Sequence, residues 1–207
     1  TDWVRRRDKG IFQRFPQAEK APVFGLESGP AGSWDARDVS IYGSVLVEDG
    51  LWRMWYFCMP DADSHDENPD HSFACYAESD DGIHWRKPNL GITGQHRYPG
   101  NNLIPLPGHV ESVVPALPGT DAKYIAATVQ INPLEPDIGD QNKWGLRYNG
   151  GGTYLWASDD GFRWRQLTKE PLIIHGDILC LYADRETNRY LLYNKLGMVH
   201  GLDARRA

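Results

Sequence analysis

The sequence lacks the features that mark several large functional classes. None of its apolar runs reaches the roughly 20 residues that a membrane-spanning helix needs, and no stretch has the apolar spacing of a convincing amphipathic helix. The 207 residues carry a net charge of −6. A nucleic-acid partner is therefore not expected, because phosphate binding needs clustered Lys and Arg. The short basic clusters at 5–7 and 204–206 are interpreted as solvated.

Recognisable cofactor and catalytic motifs are absent too. The chain has no P-loop, dinucleotide-binding fingerprint, nucleophile elbow or zinc-ligand spacing. The acidic stretch at 59–72 has the spacing of a calcium loop only in part, because it lacks the glycine of the sixth position and has Ser72 at the twelfth. We interpret it as a solvated loop and expect neither a cofactor nor a bound metal.

Cysteine is scarce. Three cysteines, Cys58, Cys75 and Cys180, cannot form a complete disulfide framework. Cys58 and Cys75 could meet across adjacent strands, although buried free thiols are the favoured interpretation. The chain begins at Thr1 without a recognisable signal peptide, so an upstream segment could have been removed. We expect a secreted or periplasmic location in preference to a cytoplasmic one.

Strand pairs joined by turn residues occupy most of the chain. Turn dipeptides such as Asp49-Gly50 and Pro118-Gly119 separate apolar, β-rich runs. The sequence predicts five hairpins, at 44–58, 73–87, 112–129, 153–167 and 178–194.

The second and fourth hairpins share the pattern Ser-Asp-Asp-Gly-x-x-Trp-Arg, as SDDGIHWR at 79–86 and SDDGFRWR at 158–165. Their paired aspartates are interpreted as turn residues. A unit of about 70 residues with four antiparallel strands is typical of a β-propeller blade. The doubled hairpin is then the outer half of two successive blades, in which the tryptophan anchors each blade against its neighbour.

These units predict a single partial β-propeller domain over 1–207. Blade 1 is expected at about 40–90, blade 2 at about 108–168, and the start of blade 3 at about 173–207. Propellers usually close with four or more blades, because an open stack leaves unpaired edges. We therefore expect the remaining blades to come from missing chain or from a partner subunit.

Several stretches follow one another in an order that resembles a known superfamily. They are WDARDVSIYGSVLVEDGLWRMWY, YAESDDGIHWRKPNLG, GNNLI, YLWASDDGFRWRQLTKEPLI and GDILCLYADRETNRYLLY. The chain is similar, over about 20–195, to the five-bladed propeller glycoside hydrolases of the invertase/levansucrase and arabinanase/xylosidase-like superfamily. Most narrowly it resembles the bacterial glycosyl hydrolase family 32 N-terminal-like proteins.

The resemblance implies an all-β, five-bladed propeller, of which this chain covers about two and a half blades. It also implies action on an oligosaccharide or glycoside. The invertase-like motifs Trp-Met-Asn-Asp-Pro, Arg-Asp-Pro and Glu-Cys are missing, and Tyr42-Gly43-Ser44-Val45 stands where arabinanase-like proteins have Asp-Pro-Ser-Val. A non-catalytic propeller that binds carbohydrate or protein is the alternative function.

Glycoside cleavage usually needs two carboxyl groups. In this superfamily the acids lie at the starts of inner strands and converge on a central funnel. The matching positions here are Asp35 or Asp38 before the first inner strand, Glu111 before the second and Asp177 before the third. Asp177 is the preferred candidate because it leads directly into the apolar run ILCLY. The alternatives are a strand-capping turn for Asp177 and a surface ion pair for Asp38.

Other side chains are candidates for contacting a sugar. The chain has eight Trp and ten Tyr, and flat aromatic rings can pack on the C–H faces of sugar rings. Side-chain amides can both donate to and accept from sugar hydroxyls. Loop turning and ordinary strand-end histidines are the alternative interpretations. The predicted substrate-binding residues are Trp34, Asn101, Asn102, His109 and His175.

Overall fold

The computed structural model of the chain describes residues 4–7, 10–13, 26–60, 72–92, 98–130, 152–174 and 176–196. These ranges contain thirteen β-strands and no helix. A helix long and apolar enough to cross a membrane is accordingly not found within them. The all-β prediction is confirmed. Strands β1 (Val4–Arg7) and β2 (Gly10–Gln13) pair with each other as a separate hairpin.

The first sheet is built around one long central strand. Its members are β3 (Asp38–Ser40), β4 (Val45–Glu48), β5 (Leu51–Met59) and β6 (Phe73–Ser79). Strands β3 and β4 pair antiparallel along one edge of β5, and β6 pairs along the other. The outer edge of β6 is bridged by Arg86, opposite Glu78, and by Leu103, opposite Cys75. The sheet therefore has an inner strand, two middle strands and a short outer segment.

The second sheet repeats this order. Its members are β7 (His109–Pro115), β8 (Tyr124–Gln130), β9 (Gly152–Ser158), β10 (Arg165–Gln166) and β11 (Ile173–Ile174). Strands β10 and β11 both pair with the outer edge of β9. The pair Ala157 and Arg165 lies 79 residues after Glu78 and Arg86 (157 − 78 = 165 − 86 = 79). This shift is the one that separates the two repeated sequence motifs.

The third sheet is a single hairpin in this part of the chain. It consists of β12 (Gly176–Asp184) and β13 (Arg189–Leu196), paired antiparallel. Turn chemistry agrees with the sequence at the sharpest hairpin, between β4 and β5. Asp49 and Gly50 have φ angles of 51° and 81°, and such a pair of positive angles matches the twist of a two-residue hairpin loop.

Each face of the second sheet is covered by a different neighbour. On β8, Tyr124 and Ala126 belong to a core cluster with Trp55 of the first sheet. The alternating residues Ile125 and Ala127 pack with β12 of the third sheet. Because side chains alternate across a strand, a strand buried on both faces is mostly apolar, as in YIAATV at 124–129. The second sheet is thus the middle layer of a stack.

Hydrogen bonds join the inner strands of successive sheets. The Val113 amide donates to Ser44 Oγ over 2.8 Å, and Ser112 Oγ donates to the Leu181 carbonyl over 3.2 Å. The inner strands therefore lie side by side, while the outer segments point away from them. Antiparallel sheets stacked in this way are the blades of a β-propeller, as predicted.

The repeated tryptophans do not have the same surroundings. Trp164 packs against the core cluster between the first and second sheets, as predicted for a residue that anchors a blade to its neighbour. Trp85 packs instead on the opposite face of the first sheet, among Met54 and Tyr56. Residues before β3, including Trp34, cover the part of that face around Met54 and Tyr56.

Apolar side chains remain exposed at both ends of the stack. On the first sheet Val45 and Val47 of β4 are exposed, and on the third sheet Ile178 and Tyr182 of β12 and Tyr193 of β13 are exposed. The alternate residues of β12, Leu179 and Leu181, are buried against the second sheet. Sheets with one solvated face usually carry polar residues there, so these two faces have the composition of covered ones. We call them the end faces.

Candidate functional site

Irregularities recur near the start of every inner strand. On β7 the partners Val110–Thr128 and Ser112–Ala127 leave Glu111 as an extra residue. On β12 residues 177–178 stand opposite a single residue of β13. Bulges of this kind re-aim side chains and are common beside active sites. Glu111 and Asp177, selected from the sequence for their place at strand starts, thus occupy comparable backbone positions in neighbouring sheets.

The first inner strand has a similar irregularity at residues 41–44, but these residues include no Asp or Glu. Residues 41–44 separate β3 from β4 and stand opposite only two residues of β5. Gly43 is required there, because a Cβ atom would lie 2.1 Å from the Trp55 carbonyl oxygen. Tyr42 precedes it and is 40% exposed.

Glu111 lies beside a group of rings. The residue is only 4% exposed, and its Oε1 atom is 3.8 Å from His109 Nδ1. The His109 ring is 4.7 Å from Phe57 and 6.4 Å from Tyr42, measured between centroids, and Tyr42 is 5.7 Å from Phe57. We call Tyr42, Phe57 and His109 the ring cluster. Tyr42 and His109 are partly exposed and Phe57 is buried, so Tyr42 and His109 are the rings on which a ligand can pack.

Phe57 and Tyr42 were not selected from the sequence. Phe57 lies at the end of β5, opposite Ser40, so only the strand register brings it to His109, 52 residues later in the chain. Tyr42 stands at the position where arabinanase-like proteins have the aspartate of Asp-Pro-Ser-Val. That position was the sequence feature from which Tyr42 could have been selected as a site residue. His109 is one of the predicted substrate contacts, and its role in binding stays a prediction.

Asp177 is placed by its backbone at the second position of β12. Its catalytic role stays a prediction. His175 lies outside the described residues.

Asp35 belongs to a different environment from Glu111. It is buried, forms an ion pair with Lys87, and accepts a 2.9 Å hydrogen bond from Ser33 Oγ. The neighbouring Trp34 packs on the face of the first sheet that points away from the second sheet. The structure therefore does not bring Asp35 together with Glu111. The ion pair supports a structural role for Asp35, which fixes the segment before β3.

Asp38 is half-buried at the first position of β3. Its Oδ2 atom accepts a 3.0 Å hydrogen bond from Ser40 Oγ. A catalytic role for Asp38 stays a prediction, and the surface ion pair stays its alternative.

Asn102 is at the centre of a buried hydrogen-bond network. Its Nδ2 atom donates to Tyr56 Oη over 2.7 Å and to the Tyr76 carbonyl over 2.6 Å, and its Oδ1 accepts from Trp34 Nε1 over 2.7 Å. Burial raises the pKa of Tyr56 well above its usual range, so its hydroxyl stays protonated. An amide with partners on both atoms inside the protein favours the structural interpretation for Asn102 and Trp34.

Asn101 shapes the loop next to it. Its Nδ2 donates to the Tyr98 carbonyl over 2.6 Å, and its Oδ1 accepts from the Leu103 amide over 3.0 Å. The residue is buried. These bonds support the loop-turning interpretation of Asn101 over direct contact with a substrate.

No group of three or more His, Cys, Asp or Glu side chains is arranged to hold a metal ion in the part of the chain that the structure describes. Most of the acidic stretch at 59–72 lies outside that part, at 61–71.

Comparison with known proteins gives one distant structural match. No family model matches the chain, and no curated protein does. A solved structure of exo-inulinase from Aspergillus awamori is 12% identical and covers 81% of this chain, with a TM-score of 0.49. The match covers 34% of the inulinase chain, so this chain spans about a third of that length.

Proposed function

We propose that this chain forms part of a five-bladed β-propeller that acts as a glycoside hydrolase on an oligosaccharide or glycoside. The observation that carries the proposal is the placement of Glu111. It occupies a bulge of an inner strand, and its carboxyl group is 3.8 Å from His109 in a ring cluster that exposes Tyr42. Rings that can pack on a sugar and a carboxyl group that can transfer a proton are the two elements such a site needs.

Asp177 supplies the second carboxyl group in this proposal. It occupies the corresponding irregularity of the next inner strand, and the inner strands of the second and third sheets are hydrogen-bonded to each other. One acid protonates the leaving oxygen, while the other attacks the anomeric carbon or activates water. A carboxyl separation of about 5 Å predicts the covalent route with retention, and about 6.5–9.5 Å predicts direct attack by water with inversion.

A non-catalytic carbohydrate-binding propeller is the second candidate. Two residues of the predicted site are engaged by other groups of the protein: Asp35 by an ion pair with Lys87, and Asn102 by hydrogen bonds to Tyr56 and Tyr76. This observation favours a site in which the ring cluster binds a sugar without cleaving it.

The test is a panel of glycosides and oligosaccharides assayed with the chain and two variants, Glu111→Gln and Asp177→Asn. Loss of a positioned acid or base lowers turnover by about 10²–10⁴-fold, and we expect losses in that range for both variants. Asp159→Asn, in an exposed turn of the second sheet, serves as the control and should retain full turnover. Sugar binding is measured in parallel by calorimetry.

The outcomes separate the two candidates. Binding without turnover by the unmodified chain would reject the hydrolase and support the binding propeller. If both variants retain the turnover of the unmodified chain, Glu111 and Asp177 are not the catalytic carboxyl pair. Absence of binding and of turnover across the panel would reject both candidates.

We also propose that further β-sheets cover the two end faces and complete the ring. The support is the exposure of apolar side chains on those faces, at Val45 and Val47 on one and at Ile178, Tyr182 and Tyr193 on the other. If a partner subunit supplies these sheets, light scattering will give a molar mass above that of one chain, and Tyr193→Lys will lower it. A single-chain mass for the unmodified chain would exclude a partner subunit.

A further inference from the structure

We propose that Cys58 and Cys75 form a disulfide bond that cross-links β5 and β6 when the chain folds in an oxidising environment. The strand register carries this inference. Cys58 lies opposite Phe73, and Cys75 lies opposite Tyr56, so the two cysteines are diagonal neighbours. Both belong to the same buried cluster on one face of the first sheet. The Sγ atoms are 2.6 Å apart.

Closing the bond needs little movement. A disulfide has an S–S distance of about 2.05 Å, so the sulfur atoms need to approach by only about half an ångström. The strands that carry them are already paired along seven residue positions. Bond formation therefore requires no change of register.

The pair is sealed from solvent in the folded protein. Both cysteines are fully buried. The Cys58 thiol is 3.6 Å from the Trp34 carbonyl, and Leu103 bridges the strand beside Cys75. Burial raises the pKa of the Cys58 thiol, and the thiolate is the reactive form. The bond accordingly forms while the segment before β3 is still undocked and, once formed, is protected from reductants.

The chemistry requires an oxidant, which a small-molecule disulfide such as oxidised glutathione supplies. The thiolate of one cysteine attacks a sulfur of that disulfide, giving a mixed disulfide and releasing one glutathione thiolate. The second cysteine thiolate then attacks the protein sulfur of the mixed disulfide and releases the other glutathione. In total two protons and two electrons pass from the protein thiols to the oxidant. Such bonds persist in oxidising compartments, as expected for a secreted or periplasmic protein.

The experiment refolds the full chain from denaturant with oxidised and reduced glutathione, and in parallel with reductant alone. Each sample is then unfolded, alkylated and weighed by mass spectrometry. After oxidative refolding we expect one alkyl group, on Cys180, and a peptide that joins Cys58 to Cys75. After refolding with reductant we expect three alkyl groups. Cys180 is exposed on β12 and serves as the internal control.

Single variants provide a matched comparison. Cys58→Ser and Cys75→Ser should each take two alkyl groups under oxidising conditions, whether or not the variant regains its fold, because the partner cysteine is gone. The oxidised chain should also unfold at a higher denaturant concentration than the reduced chain. Three alkyl groups on an oxidatively refolded chain with native circular dichroism, or a bond from Cys180 to either partner, would overturn the proposal.

Discussion

The hairpin at 79–86 and the hairpin at 158–165 share the hydrogen bonds of their serine and of their second aspartate. In each, the serine Oγ donates to the aspartate Oδ1, over 2.9 Å from Ser79 to Asp81 and 3.1 Å from Ser158 to Asp160. The serine Oγ accepts from the glycine amide over 2.9 Å in the first and 2.8 Å in the second. In both turns the aspartate Oδ1 also accepts from the amides of the two residues that follow the glycine, over 2.7–2.8 Å. The shared Ser-Asp-Asp-Gly residues produce the same turn bonds because all of these partners lie within three positions.

The two hairpins differ in what they contact. The Gly161 carbonyl accepts a 2.8 Å hydrogen bond from Trp55 Nε1, and Trp55 belongs to the neighbouring sheet. Gly82 lies against Trp52 of its own sheet, with ring atoms 3.0 Å from where a Cβ would be. The comparison shows that neighbouring residues determine the shape of a turn, whereas its docking depends on which sheet lies beside it.

Removing Trp55 should have the largest effect on this comparison. Truncating a buried tryptophan typically costs about 3–5 kcal/mol, and Trp55 is 0% exposed between two sheets. We expect Trp55→Ala to lower the free energy of unfolding by that amount, as measured by urea denaturation. Trp52→Ala should cost less, because Trp52 is only half-buried. Equal losses would contradict the different docking of the two hairpins.

Replacing the turn glycines with alanine should separate two costs in unfolding free energy: that of a positive φ and that of a Cβ atom that meets a tryptophan ring. Gly50, Gly82 and Gly161 all have φ between 74° and 82°, and an L-residue there costs roughly 1–2 kcal/mol. A Cβ at position 50 meets nothing within 4 Å, whereas at position 161 it lies 2.8 Å from Trp55.

We therefore expect unfolding free energies to fall least for Gly50→Ala, more for Gly82→Ala and most for Gly161→Ala. Trp55 is fixed in the core, while half-buried Trp52 can move aside. Similar losses at all three positions would mean that φ alone accounts for the effect.

Acid should weaken both turns modestly. The His84 side chain, then the His84 and Ile83 amides, lower the pKa of Asp81. Burial alone would raise the pKa of Asp160, but the Arg163 and Phe162 amides and the Arg163 side chain outweigh it, and the net shift is downward. A carboxyl group whose pKa is lower in the folded than in the unfolded protein stabilises the fold at pH values above 3.8, the ordinary pKa of an aspartate. That contribution is lost as the pH falls through the folded-state pKa.

Urea midpoints measured from pH 5 to pH 2.5 test this expectation. The midpoint of the unmodified chain should fall with pH, and Asp81→Asn and Asp160→Asn should each flatten the fall. Asp159→Asn controls for the loss of a surface charge in the same turn. A slope unchanged in both variants would assign the acid sensitivity to other carboxyl groups.

The sequence predicted the features that depend on near neighbours. The Asp49-Gly50 turn, the repeated hairpins and the order of strands within each sheet follow from local patterns. The start of an inner strand at Glu111 was predicted, but its bulge was not, because a bulge exists only relative to the register of the partner strand.

Distant partners account for what the sequence did not reveal. Asn102 binds Tyr56 and Trp34, which are 46 and 68 residues away, and Asp35 pairs with Lys87, 52 residues away. Short polar side chains are common both at sugar sites and in buried networks. Residue type alone therefore could not distinguish the two roles at these positions.

Gly43 has a consequence for how mutations spread through the molecule. The inner strand rests directly on the Trp55 carbonyl at this position, and Tyr42 of the ring cluster is the adjacent residue. A side chain at position 43 would push the strand outward and carry Tyr42 with it. In the proposed site, a substitution at residue 43 would therefore disturb the packing of the first sheet and the position of a ligand-binding ring at the same time.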